Sequence, residues 1–135
     1  MSYSITRIEG IGAANAKKLA KARIKTTGTL LKHCCNKKGR KEISAQTGVG
    51  EKVLLKWVNM ADLMRIKGVG EEYSELLEAA GVDTVKELKM RRPDNLTDSM
   101  TKANKKKKMV NRPPSEKTVN NWIAQAKKLK PTITH

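Results

Sequence analysis

The chain has 135 residues, with 29 lysines and arginines against 13 aspartates and glutamates, so its formal net charge is +16. This length fits one average domain or two very small ones and disfavours a large catalytic cleft, while the charge indicates a polyanionic partner such as nucleic acid. No apolar run approaches the roughly 20 residues needed to cross a bilayer, so we expect a cytoplasmic protein, nucleoid-associated if bacterial or archaeal.

In the first part of the chain, the apolar residues of "AKKLAKARI" recur at helical spacing, and Thr26 is placed to open a short helix after them. The cysteines Cys34 and Cys35 are neighbours beside His33. Adjacent cysteines rarely bridge each other and zinc needs about four ligands, so we expect reduced thiols and no metal or cofactor. Residues 51–64 predict a long helix.

The second part of the chain repeats this order of elements. The stretch "YSELLEAAGV" predicts a helix that ends on Gly81, and Thr84 with Glu87 three residues later forms a capping-box pattern. Pro93 is expected to stop the chain after the next short helix, and the basic, proline-terminated residues 101–114 are expected to form a mobile loop. Residues 115–129 predict the last long helix.

An internal repeat organises the sequence. Comparison of the chain with itself aligns "RIEGIGAANAKKLAKARIKTTGTLL" with "RIKGVGEEYSELLEAAGVDTVKELK", and a second alignment, of "GEKVLLKWVNMA" with "SEKTVNNWIAQA", places Trp57 opposite Trp122. We therefore predict an all-α fold without a sheet, made of two duplicated modules at residues 1–62 and 63–135. The two tryptophans are predicted to anchor the core of each module.

Two glycines separated by one apolar residue occur in the first module at Gly10, Ile11 and Gly12. Glycine permits backbone angles closed to other residues and allows the backbone itself to approach a ligand. The free amides at the start of the following helix, with the positive end of its dipole, form a site for a phosphate oxygen. A contact of this kind carries no base information, so binding should be independent of sequence.

The segments "IEGIGAANAKKL" and "IKGVGEEYSELL" resemble the helix-hairpin-helix motif of DNA-binding and DNA-repair proteins, and "TGVGEKVLLKWV" is a looser version. Over almost its full length the chain resembles a family of small bacterial and archaeal tandem helix-hairpin-helix proteins catalogued as a domain of unknown function. The resemblance implies a compact, SAM-domain-like helical bundle and non-specific binding to the DNA backbone. It places the phosphate contacts on Gly10, Gly12 and Ala14, with Lys17 and Lys18 as flanking cations. Related hairpins also hold a monovalent cation, which this sequence neither supports nor excludes.

Charge distinguishes the hairpins. Lysines follow the first one, whereas Glu71, Glu72, Glu75 and Glu78 follow Gly68 and Gly70, where they would repel a phosphate. We therefore predict that the hairpin at Gly68 and Gly70 is structural. The full set of predicted nucleic-acid contacts is Gly10, Ile11, Gly12, Ala14, Lys17, Lys18, Lys21, Gly48, Gly50, Lys52, Lys105, Lys106, Lys107 and Lys108.

Several alternatives stay open at the level of sequence. The hairpins can be plain helix connectors, the lysine run can be a solvated loop, and "KKGRK" at residues 37–41 is a weak signal alone. Structured RNA can replace DNA as the partner, and the acidic residues of the second module can dock a protein. The two distant histidines and the lack of a nucleophile–base spacing argue against an enzyme, and the scattered cations argue against a membrane surface.

Overall fold

The computed structural model describes residues 2–135, and within that range the regular structure is helical. A 3-10 turn precedes the α-helices, and the one β-type pairing recorded is an isolated bridge between Ser4 and Thr26. The prediction of an all-helical protein without a sheet is confirmed. In chain order the elements are the 3-10 turn Ile5–Arg7, α1 Ala13–Ala20, α2 Thr27–Cys34, α3 Lys37–Thr47, α4 Glu51–Leu63, α5 Glu71–Ala79, α6 Val85–Leu88, α7 Pro93–Lys106 and α8 Glu116–Lys128.

Side-chain caps fix where several helices begin. Thr26, Thr84 and Ser115 each accept a hydrogen bond from the amide three residues later, at the starts of α2, α6 and α8. Such a bond satisfies one of the free amides at a helix start and contributes about 1 kcal/mol. The helix starts predicted at Thr26 and Thr84 are therefore confirmed, and Ser115 caps α8 in the same way. The carboxylate of Glu87 also reaches back, although it accepts from the amide of Asp83 rather than from that of Thr84.

The two long predicted helices are present as α4 and α8, each 13 residues long. Their bounds coincide in the alignment that places Trp57 opposite Trp122. Trp57 is 4% exposed and Trp122 is 2% exposed, so both indoles lie in the interior as predicted. Helix α2 packs on α4 and α7 packs on α8, which gives each half of the chain a pair of helices around its tryptophan.

The expectation for residues 93–114 was wrong in part. Helix α6 ends before Pro93 as expected, but Pro93 itself begins a further helix, α7, because the first helical position needs neither an amide donor nor a free φ. Helix α7 continues through Lys106, into the segment expected to be a loop, since Met100 is fully buried and holds its turns against the second core. Residues 107–114 are irregular as expected, and the Asn104 side-chain oxygen accepts hydrogen bonds there from the amides of Met109 and Val110.

Buried apolar side chains form two clusters, one drawn from residues 5–64 and the other from residues 63–126. The carboxylate of Asp62, itself 1% exposed, connects them. It accepts a hydrogen bond from Arg65 Nε at 2.9 Å and another from the amide of Val85, at the start of α6, at 2.8 Å. An acidic side chain of the first half thus caps a helix of the second.

The C-terminal tail returns to the first half. The amide of Thr134 donates to the carbonyl of Cys35, and the guanidinium of the buried Arg40 donates to the carbonyls of Cys34 and Thr134. Arg65 also donates to the carbonyl of Lys130. Arg40, the one arginine of "KKGRK", therefore fixes the tail and is unavailable to a polyanion.

Candidate nucleic-acid interface

The hairpin before α1, residues 8–12, is called hairpin A. Ile8 and Ile11 are buried and hold its base in the first core. Gly10 has φ +92°, a conformation that side chains other than glycine rarely adopt. A Cβ atom at Gly10 would also lie 3.4 Å from Nε1 of Trp57, so the hairpin rests directly on α4.

Hairpin A presents an open helix start. Gly12 and Ala14 are exposed, and a Cβ atom at Gly12 would meet nothing within 4 Å. The first internal bond of α1 runs from the amide of Ala16 to the carbonyl of Gly12, so the amides of residues 13–15 have no partner within the described chain. No acidic residue lies in the first turn of α1. Unpaired amides at the positive end of a helix dipole attract an anion.

Three cations follow, two of them on α1 and the third just after it. Lys17, Lys18 and Lys21 are all exposed, and Lys17 and Lys21 share one face because they are four residues apart. Ile11 was also predicted as a nucleic-acid contact, but its role in the hairpin is structural. Its side chain is 4% exposed and its amide donates to the carbonyl of Ile8, so it supports the hairpin from within.

The lysine run 105–108 ends close to hairpin A, although the two segments are far apart in sequence. All four lysines are exposed. Met109, the next residue, and Glu9 of hairpin A line the same groove. The groove also contains Glu75 and Glu78, so this contact brings Met109 close to Glu9 without adding net positive charge at the groove itself.

Hairpin B, residues 47–50, joins α3 to α4. Gly48 ends α3 in the left-handed conformation with φ +78°, and Gly50 precedes α4; both glycines are exposed, whereas Val49 between them is buried. Lys52 is exposed, yet it lines a groove that also contains Glu78 and Asp83. These carboxylates reduce the positive potential around Lys52.

Hairpin C, residues 66–70, has the backbone of hairpin A with different surroundings. Gly68 has φ +97°, and a Cβ atom there would lie 3.2 Å from Nε1 of Trp122. Gly70 is only half-exposed, and its hypothetical Cβ atom would lie 3.7 Å from the guanidinium of Arg7. The first turn of α5 carries Glu71 and Glu72. Partial cover and two carboxylates make this helix start a poor anion site.

The acidic residues of α5 are partly used within the molecule. Glu75 and Glu78 are half-buried and line a groove with Lys56 of α4, while Glu72 is exposed. Burial raises the pKa of Glu78 above its ordinary value, against the opposing attraction of Lys56. The part of the predicted protein-docking face at Glu75 and Glu78 therefore lies against the first half.

Reasoning from sequence missed Arg7 at hairpin C and the groove beside α8. Only the fold could reveal Arg7, because it approaches Gly70 across the boundary between the halves. Part of the groove could have been found from the internal repeat, since the alignment of the two tryptophans already places Lys117 opposite Lys52. Within residues 2–135, no group of three or more histidine, cysteine, aspartate or glutamate side chains has a metal-site arrangement, and no helix is long and apolar enough to cross a membrane.

A protein-family model described as a domain of unknown function, DUF4332, matches residues 9–129. The match covers hairpin A from its second residue, hairpins B and C, and all the α-helices of the described chain. Comparisons with curated proteins and with solved structures gave no significant match.

Proposed function

We propose that this chain, which belongs to the DUF4332 family, is a non-enzymatic protein that binds duplex DNA without regard to sequence. Hairpin A supplies the central contact, through the open amides that follow Gly12. The single observation that carries the proposal is this helix start, which is exposed, free of carboxylates in its first turn and followed by three exposed lysines. Unpaired amides and nearby ammonium groups match a phosphate diester, and every duplex presents that group.

We further propose that the two halves are duplicated helix-hairpin-helix modules. Gly10 and Gly68 share a positive φ, and each lies against the indole nitrogen of the tryptophan at the same place in its half. The equal lengths of α4 and α8 support the same correspondence. The glycines are lost before α8, where Ser115 caps the helix instead, so the second module retains the scaffold without its second hairpin.

Binding would depend on the modules unequally. Hairpin A makes the first phosphate contact, hairpin B adds a weaker one, and the lysine run 105–108 lies along the backbone beside hairpin A. Counting charges by segment supports this division: residues 1–62 and 101–135 each carry a net charge of +9, and residues 63–100 carry −2. The DNA is expected to avoid α5.

A salt titration with a fluorescently labelled duplex tests the proposal. For about five phosphate contacts, the logarithm of the association constant should fall against the logarithm of salt concentration with a slope of about −4 to −5. Two duplexes of unrelated sequence should give the same affinity within a factor of about two. Absence of binding at low salt would refute the proposal. Competition with an RNA duplex of equal length distinguishes the two polymers. If the RNA binds more strongly, the proposed partner becomes structured RNA instead of DNA.

A further inference from the structure

A groove on the second half, where hairpin C meets α8, has lysines at its edge and no carboxylate in its lining. We call it the α8 groove. Its size, about 550 Å³, suits an element of another chain better than a single ion. The residues that line it are Lys67, Gly68, Lys117, Thr118, Asn121, Trp122 and Gln125.

The polar groups that the α8 groove leaves free are donors. The side-chain oxygen of Gln125 accepts from the amide of Lys67 at 2.8 Å, and its nitrogen donates to Asn121 Oδ1 at 2.9 Å. The side-chain amide oxygens of Gln125 and Asn121 therefore each accept a hydrogen bond already. Trp122 is 2% exposed, and its indole N–H has no hydrogen-bond partner within the described residues. With the ammonium groups of Lys67 and Lys117, these donors favour a ligand that carries carboxylates.

The first half shows what covers the corresponding surface. This step rests on the duplication of modules given under the proposed function. In that duplication Lys67 corresponds to Glu9, Asn121 to Lys56 and Gln125 to Met60. Those three first-half residues line a groove whose other wall is α5, and helix α5 contributes Glu75, Glu78 and Ala79 to it. The same kind of surface is thus an interface with an acidic helix in one half and open in the other.

We propose that the α8 groove docks an acidic α-helix of a partner protein, which presents the spacing Glu-x-x-Glu-Ala that α5 presents to the first half. Charge complementarity selects the partner, because the two lysines have no carboxylate facing them in the groove. A nucleic acid suits the groove less well. The amide of Thr118 is already bonded to the Ser115 side chain, and Glu116 lies in the first turn of α8, so this helix start is less open to a phosphate than that of hairpin A.

A second copy of the chain is a poor occupant for the same electrostatic reason. The residues of α1 that correspond to Glu75, Glu78 and Ala79 of α5 are Lys17, Ala20 and Lys21. A head-to-tail pair would bring these lysines against Lys67 and Lys117, and like charges in contact oppose association. The chain should therefore sediment as a monomer.

The test uses the full-length, ¹⁵N-labelled chain and a capped, alanine-rich helical peptide of about 20 residues that carries the Glu-x-x-Glu-Ala spacing twice. The chain has two tryptophans, so the spectrum contains two indole N–H signals, and they act as separate reporters. The peptide should shift the Trp122 indole and the amides of Gly68 and Asn121. It should leave the Trp57 indole and the amides that follow Gly12 unchanged.

Variants of the exposed lysines give the control. Lys67→Glu with Lys117→Glu should weaken peptide binding at least about tenfold, because two attractive contacts become repulsive. Lys86→Glu with Lys130→Glu, which makes the same change in net charge outside the groove, should weaken it less than about threefold. A peptide with lysine in place of glutamate should not bind.

Three results would overturn the proposal. The first is that millimolar peptide causes no shift of the Trp122 indole signal. The second is that duplex DNA shifts this signal, and the third is that the chain forms concentration-dependent oligomers that Lys67→Glu dissociates. The second result would assign the groove to nucleic acid and the third to a second copy. DNA binding by hairpin A is measured from the shifts of the amides after Gly12. The same spectra therefore distinguish failure of the proposed function from failure of the α8 groove to bind the peptide.

Discussion

Glutamate in place of Gly12 would test the phosphate site with one charge. The residue has φ −85° and open space around a Cβ atom, so the variant should fold, and a carboxylate at a helix start is favourable to the helix itself. A phosphate held by the same amides would then lie about 6 Å from the new charge. Coulomb's law gives about 0.7 kcal/mol of repulsion in bulk water and about 3 kcal/mol at an effective dielectric of 20, or about a 3-fold to 100-fold loss of affinity.

Fluorescence anisotropy with a labelled duplex measures this loss, and circular dichroism verifies the fold of each variant. Gly12→Gln separates charge from size and should bind more tightly than Gly12→Glu. Gly70→Glu is the matched control, because Gly70 also precedes a helix and has an allowed φ of −101°. This control variant is expected to bind DNA as tightly as the parent. Equal losses at the two positions would refute the assignment of binding to hairpin A.

Three further predictions concern stability and reactivity. Asp62→Ala should lower the free energy of unfolding by about 3 kcal/mol in urea denaturation, because it leaves Arg65 and a backbone amide of α6 without their buried acceptor; a loss below about 1 kcal/mol would contradict this. Burial raises the pKa of Cys34 to about 11, so the half-buried Cys35 should react with a thiol reagent at pH 8 at least about tenfold faster than Cys34 does. Mass mapping of the labelled peptides measures the two rates, and equal rates would be inconsistent with the fold. The folded state binds the Glu78 proton more tightly than the unfolded state, so this group stabilises the fold at low pH and ceases to do so as the pH rises from about 4.5 through its raised pKa. Glu78→Gln should accordingly be as stable as the parent or more stable at pH 7 in thermal melts, and a marked loss of stability there would show that attraction to α4 outweighs burial.

Local signals in the sequence were sufficient for most of the helices. The caps at Thr26, Thr84 and Ser115 act within three residues, and the spacing around Trp57 is a property of one helix, so both could be predicted without a fold. The end of α7 could not, because its lysine-rich turns remain helical through the packing of Met100 against the second core. Charge and nearby prolines indicated a loop, and tertiary burial outweighed them.

The sequence also predicted which atoms of hairpin A face solvent, but not what lies around them. The exposure of Gly12 follows from the hairpin pattern and the burial of Ile11. The approach of Met109 to Glu9, and of Arg7 to Gly70, depends on how the two halves pack. Contacts between residues so distant in the chain have no local sequence signal, so the cover at hairpin C could not be inferred.

Hairpins A and C share a backbone and differ in what surrounds them, so the backbone alone cannot decide which of them binds an anion. An open helix start attracts a phosphate only if nearby charges do not oppose it. At hairpin A the nearest charges on α1 are lysines, whereas α5 begins with two glutamates and turns Glu75 and Glu78 toward Lys56. If the proposed function holds, Glu71 and Glu72 repel a phosphate at hairpin C, so the same backbone turn binds an anion in the first half and serves packing alone in the second.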